Sequence, residues 1–277
     1  MTATLAGRTV LVTRPAHQSA ALVQAIEAAG GHAYAFPALA IEAVPVAELG
    51  ASLAQLRAAD SVIFISPNAA QYGMAAIRAA GGLPAAAEVY AVGPGTARAL
   101  ALAGVPDIIA PGDSPLPNPP PLAGEGANVM PTPINHDSEA LLALPQLQHV
   151  EGRRVVIVRG VGGRALLAET LAARGAQVHF VECYRRLRPQ TDAAALRACW
   201  QAGGIDAVTV ASAETLHNLA ALLGEAGMPL LRHTPLFAPH EKIAAAARHV
   251  GVVHAVATAG GDAGLVAGLL NWFRNTR

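Results

Sequence analysis

The architecture of this chain follows from one segment, Gly152-Arg153-Arg154-Val155-Val156-Ile157-Val158-Arg159-Gly160-Val161-Gly162-Gly163-Arg164. Its apolar run at 155–158 is rich in β-branched side chains, which indicates a strand covered on both faces. The glycines at 160, 162 and 163 predict a sharp turn with uncovered backbone amides. A helix is predicted next, at 165–173, and its N-terminus adds partial positive charge. This corner is therefore predicted to be able to bind an anion.

The same unit occurs a second time near the start of the chain. There the apolar segment 8–15 leads into a helix that stops at Gly30-Gly31. Arg14 lies sixteen residues before Gly30, as Arg159 lies sixteen residues before Gly175. Segment 60–66 also parallels 206–212, and 90–97 parallels 236–243, at an offset of 146 residues, against 145 for the first pair. The chain is thus predicted to be a duplicated α/β half, in which strands alternate with helices and form parallel sheets.

Composition excludes several classes of function. A length of 277 residues favours two domains, and 53% hydrophobic residues argue against disorder over most of the chain. A formal net charge of zero predicts no general attraction to nucleic acid or membrane. Residues 1–9 lack signal-peptide features, and no uncharged apolar run reaches membrane-spanning length. We therefore expect a soluble cytoplasmic protein.

The reactive side chains narrow the chemistry further. Lys242 is the only lysine, so that a Schiff base is not expected. Cys183 and Cys199 lack paired-ligand spacing, and the histidines are scattered, so that no metal site is predicted. The two cysteines are expected to be buried thiols in a reducing compartment.

Four further segments are distinguished by composition. Segments 46–59 and 138–148 are predicted to be helices, and the proline-bounded segment 37–45 a connecting strand. The proline-dense tract at 115–136 is predicted to be a flexible surface insertion.

The candidate ligand-binding residues follow the predicted strands, because ligands of parallel α/β sheets bind at the carboxyl ends of the strands. Hydroxyls, amides and arginines are concentrated there, whereas no paired carboxylates and no Ser/His/Asp arrangement occur. The candidates are Thr13, Arg14, Ser66, Asn68, Gly93, Thr96, Arg159, Gly160, Arg164, Ser212, Ala213, Glu214, His240 and Lys242. Together they predict a ligand bearing carboxylates or phosphates, held between two facing lobes.

Each candidate also has a purely structural interpretation. Ser66 and Ser212 stand where helix N-caps are expected. Gly93 suits a turn, and Arg159 and Arg164 suit a solvated surface.

Five segments, in order and at suitable spacing, resemble the uroporphyrinogen-III synthase family. They are VLVTRP at 10–15, IFISPNA at 63–69, AVGPGTA at 91–97, VRGVGGR at 158–164 and CYRR at 183–186. The chain departs from the family pattern in the insertion at 115–136. It also has Pro239-His240 where its first copy has Gly93-Pro94.

The resemblance implies a fold of two similar parallel-sheet α/β domains, with the middle domain inserted into the terminal one. Residues 1–36 and 190–277 would form the terminal domain and 46–182 the inserted domain, with 37–45 and 183–189 as a two-stranded connector. The implied activity is cyclisation of the linear tetrapyrrole hydroxymethylbilane to uroporphyrinogen III, with loss of water and inversion of ring D through a spirocyclic intermediate. No metal or organic cofactor is implied.

The resemblance also implies a catalytic residue. Tyr184 stands where the family has its candidate acid, which would protonate the departing hydroxyl. Its alternative role is packing within the connector. His240 and Lys242 are expected to assist in binding anions.

Two other functions remain open at this point. One is a non-catalytic two-lobed module that binds an anionic tetrapyrrole or another polycarboxylate metabolite. The other is a sugar-phosphate enzyme, although no acid/base pair for such an enzyme is found. A monomer is expected, because no predicted helix has a spare apolar face.

Overall fold

The computed structural model of the chain describes residues 4–112, 138–163 and 165–276. The predicted insertion at 115–136 and the candidate Arg164 lie outside the described residues. The helices and strands are, in chain order, β1 (Thr9–Val12), α1 (Ala16–Ala28), β2 (His32–Ala35), β3 (Ala40–Ala43), α2 (Gly50–Leu56), β4 (Ser61–Phe64), α3 (Pro67–Ala79), β5 (Glu88–Ala91), α4 (Pro94–Leu102), β6 (Ile108–Ile109), α5 (Ser138–Leu142), β7 (Arg154–Gly160), α6 (Leu166–Ala173), β8 (Gln177–Leu187), α7 (Ala194–Gln201), β9 (Ala207–Thr209), α8 (Ala213–His233), β10 (Leu236–Ala238), α9 (Glu241–His249), β11 (Ala255–Ala257) and α10 (Gly261–Asn275).

The chain divides into two compact units. Unit 1 comprises Met1–Ile41 and Leu187–Arg277, and unit 2 comprises Glu42–Arg186. None of the helices in the described part of the chain is long and apolar enough to cross a membrane.

Unit 1 is built on a five-stranded sheet in the order β2-β1-β9-β10-β11, in which all neighbouring strands are parallel. Alternate residues of β1 enter different cores, as the two-residue period of a strand requires. Val10 and Val12 pack with residues of α1 and α10 on one face. Leu11 packs with residues of α7, α8 and α9 on the other. Helices therefore cover both faces of the sheet.

Unit 2 is built on a six-stranded sheet in the order β3-β8-β7-β4-β5-β6. The pairs β8–β7, β7–β4, β4–β5 and β5–β6 are parallel. Val155 and Ile157 of β7 join a core with residues of α5 and α6. Val158 faces α3, since a Cβ added to Gly73 would lie 2.3 Å from its side chain. This sheet, too, is covered on both faces.

The two sheets have the same strand order once unit 2 is read from β7. The spatial order β8-β7-β4-β5-β6 in unit 2 then corresponds strand by strand to β2-β1-β9-β10-β11 in unit 1. The register is also repeated: Val10 is opposite Ala207, and Val155 is opposite Ser61, its counterpart. The predicted fold class, α/β with two similar parallel-sheet units, is confirmed.

Two local predictions were wrong. Segment 46–59 is a 3₁₀ turn at Val46–Leu49 followed by the short helix α2. Segment 138–148 is not one helix, because α5 ends at Leu142 and a 3₁₀ turn starts at Pro145, which has no N–H to continue the helical ladder. Residues 183–187 are the end of strand β8, which lies next to β3 in the sheet, and the two-stranded connector at 37–45 and 183–189 stays a prediction.

Candidate functional site

Each sheet has a central point at which the chain leaves two neighbouring strands toward opposite faces. In unit 2 this point lies between β4 and β7, because α3 and α6 follow them on different faces. In unit 1 it lies between β1 and β9, which lead to α1 and α8. Such switch points open a crevice at the carboxyl ends of the strands, where α/β proteins bind ligands. The predicted candidates are found largely at these two places.

Ser66 follows β4 at the switch point of unit 2 and caps helix α3. Its backbone is extended, and its Oγ accepts a hydrogen bond from the Ala69 N–H at 3.0 Å. The N-cap interpretation of Ser66 is therefore confirmed. The side chain is half-buried, so that its hydroxyl remains within reach of a ligand.

Tyr184 lies in β8 with its phenol beside Ser66. Its Oη is 3.2 Å from the Ser66 Oγ, and the Arg186 Nη2 donates to it at 3.4 Å. Its ring lies 5.8 Å from the Tyr72 ring, measured between centroids. Only 1% of Tyr184 is exposed, so that it packs within unit 2 as well as carrying a hydroxyl at the switch point.

Gly160 has a role that the sequence interpretation missed. It is the last residue of β7 and not part of a turn, and a β-bulge between Arg159 and Gly160 brings it opposite Tyr184. A Cβ at position 160 would lie 2.6 Å from two carbons of the Tyr184 ring. Glycine is needed here because the aromatic ring lies directly on the backbone. The turn proper comes later, at Gly162, whose φ is +76°.

Arg159 is not solvated, contrary to one of its predicted interpretations. It is 7% exposed, and its guanidinium donates to the Gly163 carbonyl at 2.6 Å and to the Gly160 carbonyl at 3.3 Å. It also pairs with Glu182 at 3.3 Å and stacks on Phe180 at 4.7 Å. These contacts use the guanidinium to hold the glycine corner together. Binding of substrate by Arg159 stays a prediction.

Burial changes the acidity of Cys183, the residue before Tyr184, and of Tyr72, whose ring lies beside the Tyr184 ring. Burial raises the pKa of the Cys183 thiol to about 12, and it also raises the pKa of Tyr72. The Cys183 Sγ lies 3.4 Å from the Arg159 carbonyl oxygen. The expected buried thiol is confirmed for Cys183, whereas Cys199 is only half-buried.

The remaining candidates of unit 2 follow β4 and β5. Asn68 is half-buried in the first turn of α3. Gly93 is the extended N-cap residue of α4, and Thr96, in the first turn of that helix, is 2% exposed. All three stand at carboxyl ends of strands, as predicted, but Thr96 is buried.

In unit 1, two candidates hold the switch point together. Thr13 is fully buried, and its hydroxyl donates to the Thr209 carbonyl at 2.7 Å, which joins the ends of β1 and β9. Ser212 caps α8 by accepting from the Thr215 N–H at 3.0 Å. Its N-cap interpretation is also confirmed. Ala213 and Glu214 are the first two residues of α8, and Glu214 is exposed.

Arg14 is paired with a residue that was not predicted. Its Nη1 donates to the Asp262 Oδ1 at 2.5 Å, in the first turn of α10. His240 is the exposed N-cap residue of α9, and a Cβ added to Gly260 would lie 3.8 Å from its ring. Lys242 is exposed in the first turn of α9. The start of α10 therefore lies next to the candidates Arg14 and His240.

The residues missed by sequence reasoning are Asp262, Arg186, Tyr72 and Glu182. The signal for Asp262 was the turn Gly260-Gly261-Asp262 after β11, which is one more strand end. Arg186 follows Tyr184 by two residues, the spacing that places side chains on one face of a strand. Among the residues described, no group of three or more His, Cys, Asp or Glu side chains is arranged to hold a metal ion.

Comparison with known protein sequences adds independent information. A family model described as "Uroporphyrinogen-III synthase HemD" matches residues 20–267. Uroporphyrinogen-III synthase of Salmonella typhimurium is 36% identical over 215 residues, which are 77% of this chain and 79% of the relative. The enzyme of the same name from Escherichia coli K12 is 32% identical over 247 residues, 87% of this chain and 91% of the relative.

Comparison with solved structures supports the fold. A mutant uroporphyrinogen III synthase from the extremely thermophilic bacterium Thermus thermophilus matches with a TM-score of 0.59 at 22% identity, over 97% of this chain and 98% of the other. Uroporphyrinogen-III synthetase from Helicobacter pylori matches with a TM-score of 0.54 at 10% identity, over 98% of this chain and 100% of the other. At these identities the likeness concerns the fold alone.

Proposed function

Since the chain belongs to the uroporphyrinogen-III synthase family, we propose that it converts hydroxymethylbilane into uroporphyrinogen III. The reaction is a cyclisation with loss of water and inversion of ring D, which makes the protein a cyclising hydro-lyase. The observation that carries this proposal is the family match over residues 20–267. The candidate residues at the ends of β4, β7 and β8 fall within that match.

The proposed catalysis consists mainly of imposing geometry. The bilane closes unaided to the isomer in which ring D is not inverted, so that the enzyme must orient two reacting ends. Exclusion of water would protect the azafulvene that forms when the hydroxyl departs. The switch point of unit 2 suits this step, because the buried side chain of Tyr184 lies beside the half-buried Ser66.

The departing hydroxyl needs a proton, and we propose that it comes from the hydroxyls at this switch point. Tyr184 is the proposed source, as the family resemblance implies. Its phenol lies 3.2 Å from the Ser66 Oγ, so that the two groups can exchange a proton. The proposed step requires no metal or organic cofactor.

The carboxylates of the bilane require several donors. Arg14 and Arg159 are both paired within the protein, with Asp262 and Glu182 respectively, so that each would bind substrate as a partly neutralised group. We therefore propose that backbone N–H groups at the helix starts provide much of the binding, which is how helix N-termini hold anions. Further proposed contacts are made by Thr13, Asn68, Gly93, Thr96, Gly160, Arg164, Ser212, Ala213, Glu214, His240 and Lys242.

We further propose that the protein acts as a monomer in the cytoplasm, with no nucleic-acid or membrane partner. The formal net charge of zero supports the lack of a nucleic-acid or membrane partner, because it gives no general attraction to polyanions. Light scattering after size-exclusion chromatography measures the oligomeric state, and a mass near twice 28.1 kDa would contradict a monomer.

The function is tested with freshly prepared hydroxymethylbilane. The bilane is incubated with and without the protein, the products are oxidised to porphyrins, and the type I and type III isomers are separated. We expect the type III isomer to predominate with the protein and the type I isomer without it. A protein that binds the bilane but leaves the isomer ratio unchanged is a binding module and not a synthase.

A further inference from the structure

We propose that Ser66 is the residue that touches the departing hydroxyl, and that Tyr184 and Arg186 act through Ser66 as positioning residues. The three side chains form a continuous chain of contacts from Arg186 through Tyr184 to Ser66. This proposal rests on the proposed function, because it concerns the proton that the cyclisation consumes.

Burial distinguishes the members of this chain. Tyr184 is 1% exposed, with its ring packed against the backbone of Gly160 and beside the ring of Tyr72. Ser66 is half-buried, and Arg186 is exposed. A substrate at the end of β4 therefore meets the Ser66 hydroxyl and not the phenol behind it.

The donors and acceptors give the chain a direction. Arg186 can only donate, so that the phenol oxygen of Tyr184 is its acceptor, at 3.4 Å. In the proposed arrangement the phenol donates its hydrogen to the Ser66 Oγ at 3.2 Å, an oxygen that also accepts the Ala69 N–H at 3.0 Å. A serine oxygen has two acceptor positions, and these two donors occupy both. The hydrogen of Ser66 is thereby left to point outward, to a ligand.

The contacts of Tyr184 are longer than hydrogen bonds of full strength. Catalytic hydrogen bonds are often long in unliganded enzymes and shorten when the substrate binds. A ligand oxygen that accepts from Ser66 makes the Ser66 oxygen a better acceptor for the phenol, since hydrogen bonds in a chain polarise one another. Substrate binding is therefore expected to shorten the hydrogen bonds between Arg186, Tyr184 and Ser66.

The duplicated copy lacks this arrangement. Ser212 is the counterpart of Ser66 and caps α8 in the same way, through the Thr215 N–H. Its Oγ lies 2.9 Å from the Thr215 hydroxyl, a neighbour on the same helix, where the Ser66 Oγ has a tyrosine from another strand. The phenol is thus an addition to an N-cap that forms without it. This difference favours a role beyond capping for Ser66.

The proposed step is balanced in atoms and charge. The O–H bond of Ser66 breaks, and its proton goes to the hydroxyl oxygen of the bilane. The C–O bond breaks with its electron pair on that oxygen, water leaves, and the pyrrole becomes an azafulvenium ion. The phenol proton of Tyr184 passes to the Ser66 oxygen, and the resulting phenolate faces the Arg186 guanidinium. The proton that the pyrroles lose on ring closure restores the phenol.

The test is a double-mutant cycle in the full chain, with kcat and KM measured for formation of the type III isomer. Since general acid catalysis contributes about 10²–10⁴-fold, we expect Ser66→Ala to lower kcat by about 100-fold with little change in KM. Tyr184→Phe should lower kcat by about 10-fold, because Ser66 can still donate its proton to the substrate but no longer receives one from the phenol. The double variant should be no slower than Ser66→Ala, because groups that act as a unit are not additive.

Four further variants separate catalysis from stability. Ser66→Thr retains both the cap and a hydroxyl, and we expect it to keep kcat within about 3-fold of the wild type. Arg186→Lys retains the positive charge that would face the phenolate and should lose less of kcat than Arg186→Gln, which keeps only an uncharged donor. Ser212→Ala removes the equivalent N-cap in unit 1. Its melting temperature is compared with that of Ser66→Ala, to show how much stability the loss of a cap alone costs.

The outcomes distinguish this proposal from the proposed function. A wild-type protein that forms no type III isomer contradicts the function itself. If the wild type is active but the fold-losses of kcat in Ser66→Ala and Tyr184→Phe multiply in the double variant, Tyr184 acts on the substrate independently of Ser66. The proposed hydrogen-bond relay is then wrong. Full kcat in Ser66→Ala, or a Ser66→Thr variant as slow as Ser66→Ala, would also overturn it.

Discussion

At the scale of single residues, Gly160 depends on the ring that covers it. Replacement by alanine would place a Cβ 2.6 Å from the Tyr184 ring, closer than such atoms approach. Because both groups lie in a packed sheet, we expect Gly160→Ala to lower the free energy of unfolding by about 1–3 kcal/mol. Urea denaturation measures this change, and kcat should fall with it because the phenol moves.

The control removes the ring instead of the glycine. In a Tyr184→Ala background the added Cβ has room, so that Gly160→Ala should then change the free energy of unfolding by much less. Equal losses in both backgrounds would show that the ring is not the cause.

Cys183 gives a prediction about alkaline pH. Burial raises the pKa of its thiol to about 12 from an ordinary value of 9.0. The folded protein therefore favours the neutral thiol, and this contribution to stability is complete below pH 9 and lost as the pH rises toward 12. Above pH 9 the free energy of unfolding should fall by about 1.4 kcal/mol per pH unit from this group alone.

Comparison with Cys183→Ala isolates this effect. Other groups that ionise at high pH, such as Tyr90, are present in both proteins and cancel in the difference. We expect the stability advantage of the wild type over Cys183→Ala in urea denaturation to decrease between pH 9 and pH 10. A constant difference over that interval would contradict burial of the thiol.

The sequence could predict a residue's position better than its partners. Ser66 and Ser212 were identifiable as N-caps, because a cap depends only on neighbours in the chain. The partners of Arg159 and Arg14 were not identifiable, because Glu182 and Asp262 come from other elements. Gly160 was assigned to a turn, since the ring of a tyrosine on the neighbouring strand leaves no trace in the local sequence.

At the scale of elements, α8 is two helices joined at a kink. Gly224 lies inside it with φ +62° and ψ −175°, a conformation essentially restricted to glycine. No atom lies within 4 Å of the position of an added Cβ, so that only the backbone opposes a side chain there. We expect Gly224→Ala to lower the free energy of unfolding by about 1–3 kcal/mol.

Gly50 provides the matched control. It lies in α2 with helical backbone angles, and an added Cβ would also meet nothing within 4 Å. Gly50→Ala should therefore stabilise the protein by about 0.5–1 kcal/mol in the same denaturation experiment. Similar losses at both positions would contradict the backbone explanation for Gly224.

Prediction of the elements succeeded where local pattern and fold agree. Strands β1 and β7 were predictable, because each is a short β-branched run that ends at a turn signal. The prediction of a helix over 138–148 is wrong after Leu142. The apolar pattern continues past Pro145, which has no N–H to donate to the helical hydrogen bonds. Strand β8 continues to Leu187, through most of the segment that is predicted to be the second connector strand.

At the scale of the whole molecule, each unit has cores of its own. The cluster that contains Ile63, Val155 and Leu171 is drawn entirely from unit 2. Fragment 42–186 should therefore fold alone, with a cooperative urea transition and a free energy of unfolding of about 5 kcal/mol or more. A fragment that binds hydrophobic dyes and unfolds without cooperativity would contradict this expectation.

The strand order of the duplicated fold was only partly predictable. The repeat at an offset of about 145 residues indicated two α/β copies, and both sheets share one order and register. In unit 2 the strands equivalent to β1 and β2 are β7 and β8, and they follow β4, β5 and β6 in the sequence. Strand pairing across such long separations is set by the packing of helices, which a periodic pattern does not encode.

The split of unit 1 around unit 2 has a mechanical consequence. Strand β1 comes from the first segment of unit 1 and its neighbour β9 from the second, with Val10 opposite Ala207. Tension applied between the two ends of the chain therefore shears β1 from β9 before any load passes into the residues between them. Within unit 2, close to its two ends at Glu42 and Arg186, the Val44 N–H donates to the Cys183 carbonyl oxygen at 3.0 Å. In an optical trap we expect unit 1 to unfold first, and unit 2 to extend only after strands β1 and β9 have separated.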